Sequence, residues 1–566
     1  MGCLLSAGSP CKLGHSPLRD VRVADRGQRR LGGWGFEGEG FPPSAALLAW
    51  LDAHLGATAP PPAGDLTQAP LEAPRPLPPL AAAVSTTSRD RLVHARGQGF
   101  PDLVRMRVGT VGRVPDAIVY PASDTETEAV LHACVRAGAL VVPWGGGTSV
   151  TGGVNVPPGD GPVVSLDLTR LAGLVALDAT SGLAAVGAGT LGPALERALA
   201  ARGFTLGHFP QSWELSSVGG WIVTRSSGQE SLGYGSIDDL VAGLTLIAPA
   251  GRLDLPACPA SAAGPDLREL VLGSEGRLGV VTRATLRVRP RPERVVVTGV
   301  VFPTWEAGLE AARALVQGEV RLTLLRLSDE PETQVAMTLG LSRLGALAPL
   351  AHRWLAFRGV RDRGCLMLVG AAGSEPHVRS TLAGARALLR RHRAVNLGTG
   401  PGRTWLADRF RHPYLRDALL DRGIATDTLE TAAPWSGVPA LARAVRAALA
   451  GALQRERERV AVLCHVSHPY LDGASLYFTF FFRCPADPDA AVARWATIKR
   501  AATTAIVAGG GTLSHHHGVG AWHAPWLVRE IGQTGVDLLR AAAARLDPTG
   551  ILNPHVLLDP TDRLES

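Results

Sequence analysis

The run Pro143-Trp144-Gly145-Gly146-Gly147-Thr148-Ser149 constrains this chain more than any other stretch. It follows Leu140-Val141-Val142, so a buried strand delivers the backbone straight into consecutive glycines. Glycines there remove Cβ atoms where backbone N–H groups must wrap a diphosphate, and Thr148 and Ser149 add hydroxyl donors. Alone, the run would serve equally well as a tight turn. It lacks the glycine spacing and the following acidic residue of a Rossmann fingerprint. Two further clusters, Ser216-Ser217-Val218-Gly219-Gly220 and Gly276-Arg277-Leu278-Gly279, lie in the same domain-sized stretch. Three such clusters argue for one long dinucleotide threaded between two half-domains.

The surrounding pattern is α/β from Pro115 onward. Ala117-Ile118-Val119-Tyr120 reads as a short strand, and Ser123 with Glu126 is a capping-box signature. Val130, Ala133, Cys134 and Ala137 share one helical face, and Gly138 supplies a stop. Strands are expected at 163–168 and 183–186 and a helix at 191–201. Length alone, 566 residues, calls for two or three domains. The sequence divides into an irregular, Pro-rich region 1–87, with a short helix at 44–55, and a first globular domain 88–294. A second domain, 295–500, alternates strands and helices differently. A C-terminal segment, 501–566, follows, with helices at 501–507 and 528–546. Residues 335–357 are apolar with scattered arginines. They read either as a buried cap helix or as a membrane-touching segment whose apolar side is Leu339, Leu341, Leu344, Leu347, Leu350 and Leu355, flanked by Arg343 and Arg353.

Composition excludes several classes. Hydrophobic content of 46% and charge of 19% belong to a globular protein. No run approaches ~18 apolar residues, so no membrane-spanning helix is expected. The net charge of +7 is almost entirely arginine, since Lys12 and Lys499 are the only lysines. It forms no basic, aromatic-interleaved block, which argues against nucleic acid and in favour of anionic substrates or lipid. Cys3, Cys11, Cys134, Cys258, Cys365, Cys464 and Cys484 make no CxxC pair and fit reduced thiols, with the cytoplasm as the expected compartment.

The second distinctive stretch is Leu513-Ser514-His515-His516-His517-Gly518-Val519-Gly520. Taken by itself it reads as a solvated loop or an opportunistic metal site. A functional role requires partners from elsewhere in the chain.

Those partners emerge from a resemblance. The segments PWGGGTSVTGG, SSVGGWIVTRSSG, GSEGRLGVV, TLETAAPW, GASLYF and LSHHHGVG together resemble the alkylglycerone-phosphate synthase (alkyl-dihydroxyacetone-phosphate synthase) family of vanillyl-alcohol-oxidase-type flavoproteins, over about residues 33–558. The resemblance implies an α+β fold: a two-lobed PCMH-type FAD-binding domain (about 110–292), an α+β cap domain, and a C-terminal helical segment returning to the FAD domain. It implies FAD contacts from Pro143-Trp144-Gly145-Gly146-Gly147-Thr148-Ser149, Gln211-Ser212-Trp213-Glu214-Leu215-Ser216-Ser217, Thr224-Arg225-Ser226-Ser227 and Glu275-Gly276-Arg277-Leu278-Gly279-Val280-Val281. The cofactor is expected to be non-covalent, because the Gly145 loop and the Gln211 segment hold no His or Cys, with His208 just outside.

The implied reaction has no net redox change. A base takes a proton from C1 of an acyl-dihydroxyacetone-phosphate-like substrate, the fatty acid leaves, and a fatty alcohol takes its place while the flavin carries the three-carbon unit. The implied base is Tyr477, with His515, His516 and His517 as further catalytic residues and Arg416 and Arg326 as ligands of the anionic substrate. A guanidinium suits a phosphate bidentately, and a phenol of pKa ~10 needs its anion stabilised. Without the family, Tyr477 would be a packing ring and Arg416 a surface arginine.

The family's eukaryotic members carry an arginine where this chain has His465, and dehydrogenase relatives usually carry a glutamate where it has His516. The loss of that carboxylate speaks against a metal, and none is expected. His465 and His468 nonetheless add imidazoles near the loop. Besides a lipid substrate, the expected partners are a membrane surface, touched peripherally, and a second copy in a homodimer. The alternative reading is a FAD-linked dehydrogenase of a 2-hydroxy acid or lipid alcohol.

Overall fold

Ala117–Tyr120 and Leu140–Trp144 both run parallel to Val163–Asp167, and Ala83–Ser85 adds antiparallel to the first of them. The computed structural model that shows this describes residues 27–342, 345–360 and 363–558. Val163–Asp167 is buried at every position, as a central strand covered on both faces must be. The helix Asp124–Ala137 begins where Ser123 Oγ accepts the Glu126 N–H at 3.1 Å. Glu126 reaches back one residue further than a capping box requires, to the Ala122 N–H at 2.8 Å. Val130, Ala133 and Cys134 are buried against the sheet, whereas Ala137 at the last turn is exposed.

A second, antiparallel sheet of five strands follows in the order Leu174–Asp178, Leu183–Gly187, Val280–Arg287, Val241–Ala248, Gly251–Leu255. The glycine clusters sit between these two sheets. The C-terminal segment comes back to the first: the Val141 N–H donates to the Ile551 carbonyl, and the Asn553 N–H to the Val141 carbonyl, each at 2.8 Å.

The third sheet has seven strands, all antiparallel: Val395–Gly398, Arg294–Phe302, Cys365–Gly373, Leu324–Ser328, Val460–Pro469, Gly473–Arg483, Ile424–Pro434. Strand alternation does the positioning here. Phe478, Phe480 and Phe482 are fully buried in one core with the helices Val438–Gly451 and Pro488–Ala508. Tyr477, Thr479 and Phe481 therefore point to the opposite face, where they line a cavity. Burying each phenylalanine contributes about 1.5–3 kcal/mol, so a one-residue slip, which would take all three out of this core and into the cavity, is strongly disfavoured.

Two stretches differ from the sequence expectation. The helix Ala45–Leu55, capped by Ser44, packs Trp50, Leu51 and Leu55 into a cluster with Leu419, Ile424, Ala461 and Phe481. Trp34 and Phe36 pack with Leu215 and Tyr414. The region read as irregular is thus built into the large sheet's open face. Residues 335–357 form parts of two helices, Glu330–Ser342 and Ala348–Phe357. Leu355 is buried while Leu347, Leu350, Trp354 and Phe357 are 63%, 67%, 43% and 87% exposed. Leu344 and Arg343, and the side chains of Leu339 and Leu341, lie outside the described residues.

Candidate active site

A cavity of about 1070 Å³ runs between the glycine clusters and the open face of the large sheet. Its first part is walled by the Gly145 loop, Gln211, Ser216, Ser217, Ser226 and Glu275. Here two loops touch backbone to backbone: a Cβ on Gly146 would stand 1.7 Å from the Leu215 carbonyl oxygen. Among the described residues, the amides of Gly146, Gly147 and Thr148 donate to no protein acceptor, although they line the cavity. Adjacent unpaired donors with no side chain over them suit a diphosphate. The residues present therefore fit FAD.

The opposite part is apolar. Leu47, Val335, Leu415, Leu419, Leu463 and Phe481 line it, all drawn from the cluster that the helix Ala45–Leu55 completes.

Between the two parts stands a row of side chains set by strand register. Glu430 pairs with Tyr477, and Tyr477 with His465, across three neighbouring strands. The Tyr477 ring stacks on His465 at 4.9 Å and faces His516 at 6.2 Å, with interplanar angles of 20° and 21°. His517 meets it edge-on at 5.7 Å. The phenol donates to Gln211 Oε1 at 3.5 Å. Burial pushes this phenol upward; a hydrogen bond from Thr428 opposes the rise and the Glu430 carboxylate adds to it.

The His loop is pinned at two points by buried carboxylates. Glu430 Oε1 accepts the N–H groups of His516 and His517, each at 2.6 Å, and its other oxygen lies against His516 Nδ1. Burial works to raise Glu430, but the imidazoles of His516 and His517 hold it well below the usual carboxylate range. Glu275 accepts the N–H groups of Val519 and Gly520 at 2.7 and 2.8 Å. With no imidazole beside it, burial pushes its carboxyl up to about 7. Gly520 has φ 58°, and a Cβ there would stand 2.1 Å from the Thr151 carbonyl oxygen. Burial lowers His515 and His517 to about 4.

Not every implied residue reaches the cavity. Tyr477, His516, His517, Arg416 and Arg326 line it, but His515 stands behind His516, with the two Nδ1 atoms 3.0 Å apart. Arg416 Nη1 donates to the Gln98 carbonyl, while its Nε and Nη2 have no partner. Arg326 engages one nitrogen: its Nη2 donates to Glu332 Oε1 at 2.5 Å, and His465 Nδ1 lies 3.0 Å from the other Glu332 oxygen. On the cofactor side, Trp213, Glu214, Leu215, Arg225, Arg277 and Leu278 stand back from the cavity. Trp213 stacks on Phe410, Arg225 pairs with Asp238 and Glu269, and Arg277 donates to the Leu552 carbonyl at 3.0 Å. Glu430, Glu332 and Tyr470 were not legible as site residues; only the TLETAAPW segment signalled the first.

Among the described residues, two sets of groups have metal-ligand spacing: His468, His515 and His516, and Glu430, His516 and His517. Glu430 thus restores the carboxylate that position 516 lacks. Its Oε1 accepts two N–H groups of the loop, while its Oε2 lies against His516 Nδ1 with no hydrogen bond.

The comparisons with known proteins agree with this arrangement. Residues 115–254 match the FAD binding domain family, and residues 291–557 match the FAD linked oxidases, C-terminal domain. The chain is 32% identical to the alkyldihydroxyacetonephosphate synthase of Dictyostelium discoideum over 486 residues, 84% of this chain and 78% of the relative. It is 31% identical to that of Trypanosoma brucei brucei, covering 83% and 77%. A solved structure of an alkyldihydroxyacetonephosphate synthase superposes with a TM-score of 0.80 at 26% identity, covering 94% of this chain and 99% of that one.

The cavity wall around the glycine clusters includes neither Cys nor His208, whose Nε2 bonds Ser226 Oγ at 2.7 Å instead. Acid precipitation of the purified holoprotein is therefore expected to leave the yellow flavin in the supernatant. Flavin retained by the pellet would contradict a non-covalent site.

Proposed function

Since the chain belongs to the alkyldihydroxyacetonephosphate synthase family, we propose that its cavity carries out that family's exchange. The protein is a FAD-dependent transferase of ether lipid synthesis that replaces the acyl group of an acyl-dihydroxyacetone-phosphate-like substrate with a fatty alcohol, without net redox change. FAD held against the glycine clusters would supply an electrophilic flavin ring for this exchange.

What the chain's own side chains do follows from their places. The apolar part of the cavity, ending at Leu47, Leu419 and Phe481, takes the long acyl or alkyl chain. Arg416, with two unpaired donors, takes the anionic headgroup. Tyr477 is the proton-transferring group, and the row in which it stands carries this reading: one phenol, flanked by two imidazoles, lies between the cofactor wall and the apolar limb. Burial disfavours its anion, and a hydrogen bond from Thr428 and the Arg326 charge offset that cost as the proton is taken. Arg326 also pairs with Glu332 and touches His465 through Nη2.

Among the described residues no helix is long and apolar enough to cross a membrane. The exposed Leu347, Leu350, Trp354 and Phe357 instead form a peripheral contact with a lipid surface. This is supported by their continuity with Val335, Met337 and Gly340, which line the cavity from the preceding helix.

Two outcomes test these roles. Tyr477→Phe removes only the phenolic oxygen from a ring that still packs, so flavin content should be unchanged while turnover falls ~100-fold or more. An undiminished rate would reduce Tyr477 to a packing residue. The pair Leu350→Asp and Phe357→Asp should lower the fraction of protein floating with anionic vesicles. Unaltered flotation would count against the contact.

A further inference from the structure

Arg29 does not line the cavity, yet its Nη1 donates to the Gly146 carbonyl of the Gly145 loop at 3.0 Å. It therefore reaches the cofactor wall from behind. Arg29 lies on a hairpin in which the Arg30 N–H donates to the Gly35 carbonyl at 3.1 Å and the Glu37 N–H to the Gln28 carbonyl at 3.0 Å. Two other parts of the molecule hold this hairpin. Arg89 Nη2 donates to the Arg29 carbonyl at 2.7 Å, and the Trp34 N–H donates to Asp417 Oδ2 at 2.7 Å. Trp34 and Phe36 pack with Leu215, whose carbonyl oxygen is the atom that bars a Cβ from Gly146. All of this lies outside residues 115–254, which match the FAD binding domain family.

We propose that Arg29 is a positioning residue for the cofactor: it fixes the Gly146–Gly147 peptide so that the Gly147 N–H is presented to the diphosphate of FAD. The inference rests on FAD as the cofactor and not on the reaction that follows. In a planar trans peptide, the carbonyl of one residue and the N–H of the next point in opposite directions. The Gly146 carbonyl is drawn toward Arg29 behind the loop, so the Gly147 N–H is turned to the cavity that Gly147 lines. Among the described residues that N–H donates to no protein acceptor, which leaves it free for a phosphate oxygen.

A peptide between two glycines needs such a tether. Gly147 has φ 65°, and a Cβ there would stand 2.1 Å from the Trp144 ring, so the position admits only glycine. Without a Cβ on either side, the peptide between Gly146 and Gly147 rotates more freely than any other pair would allow. Half a rotation would aim a carbonyl oxygen, not an N–H, at the phosphate. A guanidinium is well suited to prevent it. Burial lowers Arg29 only to about 10, so it is charged at neutral pH. Its hydrogen bond to the carbonyl is charge-assisted and polarises the peptide, which makes the N–H a stronger donor. The same positive charge favours an anionic ligand on the far side of the loop without touching it.

The test is the affinity of the full-length chain for FAD and, separately, for riboflavin, read from flavin fluorescence. Riboflavin has the same ring system and no phosphate. Arg29→Met keeps the length of the side chain and removes its donors. It should weaken FAD binding ~10-fold or more and leave riboflavin binding unchanged. Arg29→Lys, which keeps a cationic donor, should recover part of the loss. Equal FAD affinities in wild type and Arg29→Met would overturn the inference, as would a loss that riboflavin shares or that Arg29→Lys does not lessen. A wild type that binds riboflavin as tightly as FAD would overturn the diphosphate site itself, an outcome distinct from a wild type and a variant that prefer FAD equally.

Discussion

Two buried carboxylates hold the His loop, and the site depends on them. Glu430 reaches it from the large sheet and Glu275 from the cofactor wall, each accepting two adjacent backbone N–H groups. A hydrogen bond to a charged group contributes about 1.5–3 kcal/mol, which applies to the two on ionised Glu430, and the two on Glu275 complete the hold on the glycine-flanked loop. Similar burial gives the two acids opposite fates. Glu430 faces imidazoles and stays ionised, whereas Glu275 faces only N–H dipoles and its carboxyl rises to about 7. Both lobes of the molecule therefore meet at one loop.

The same loop brings His516 and His517 to Glu430, whose Oε1 is taken by the loop's own N–H groups, and His515 is turned away from the cavity toward Tyr470. The neighbouring ion pairs follow the same economy of charge. Glu332 neutralises Arg326 and anchors His465.

Much of this was legible in sequence because it is local. Consecutive glycines after Leu140-Val141-Val142, the Ser123 cap and the His loop are all features of adjacent residues. The family segments carried the cofactor and the reaction. What could not be read was register. Glu430, Tyr477 and His465 come from three separate strands and meet only because the phenylalanines on the other face lock the pairing. The helix Ala45–Leu55 was visible as a helix, yet its target, Ile424, Ala461 and Phe481, lies hundreds of residues away. Glu332 and Tyr470 had no signal at all: each gains meaning only from the imidazole it touches.

The proposed exchange passes no electrons to an acceptor and needs no ion. It is tested most directly by mixing chelator-treated, metal-free flavoprotein anaerobically with the acyl substrate and a fatty alcohol while recording the flavin spectrum and the products. The account predicts that ether forms over many turnovers and that the flavin ends oxidised. Stoichiometric bleaching without ether, or activity that returns only with a transition ion, would contradict it.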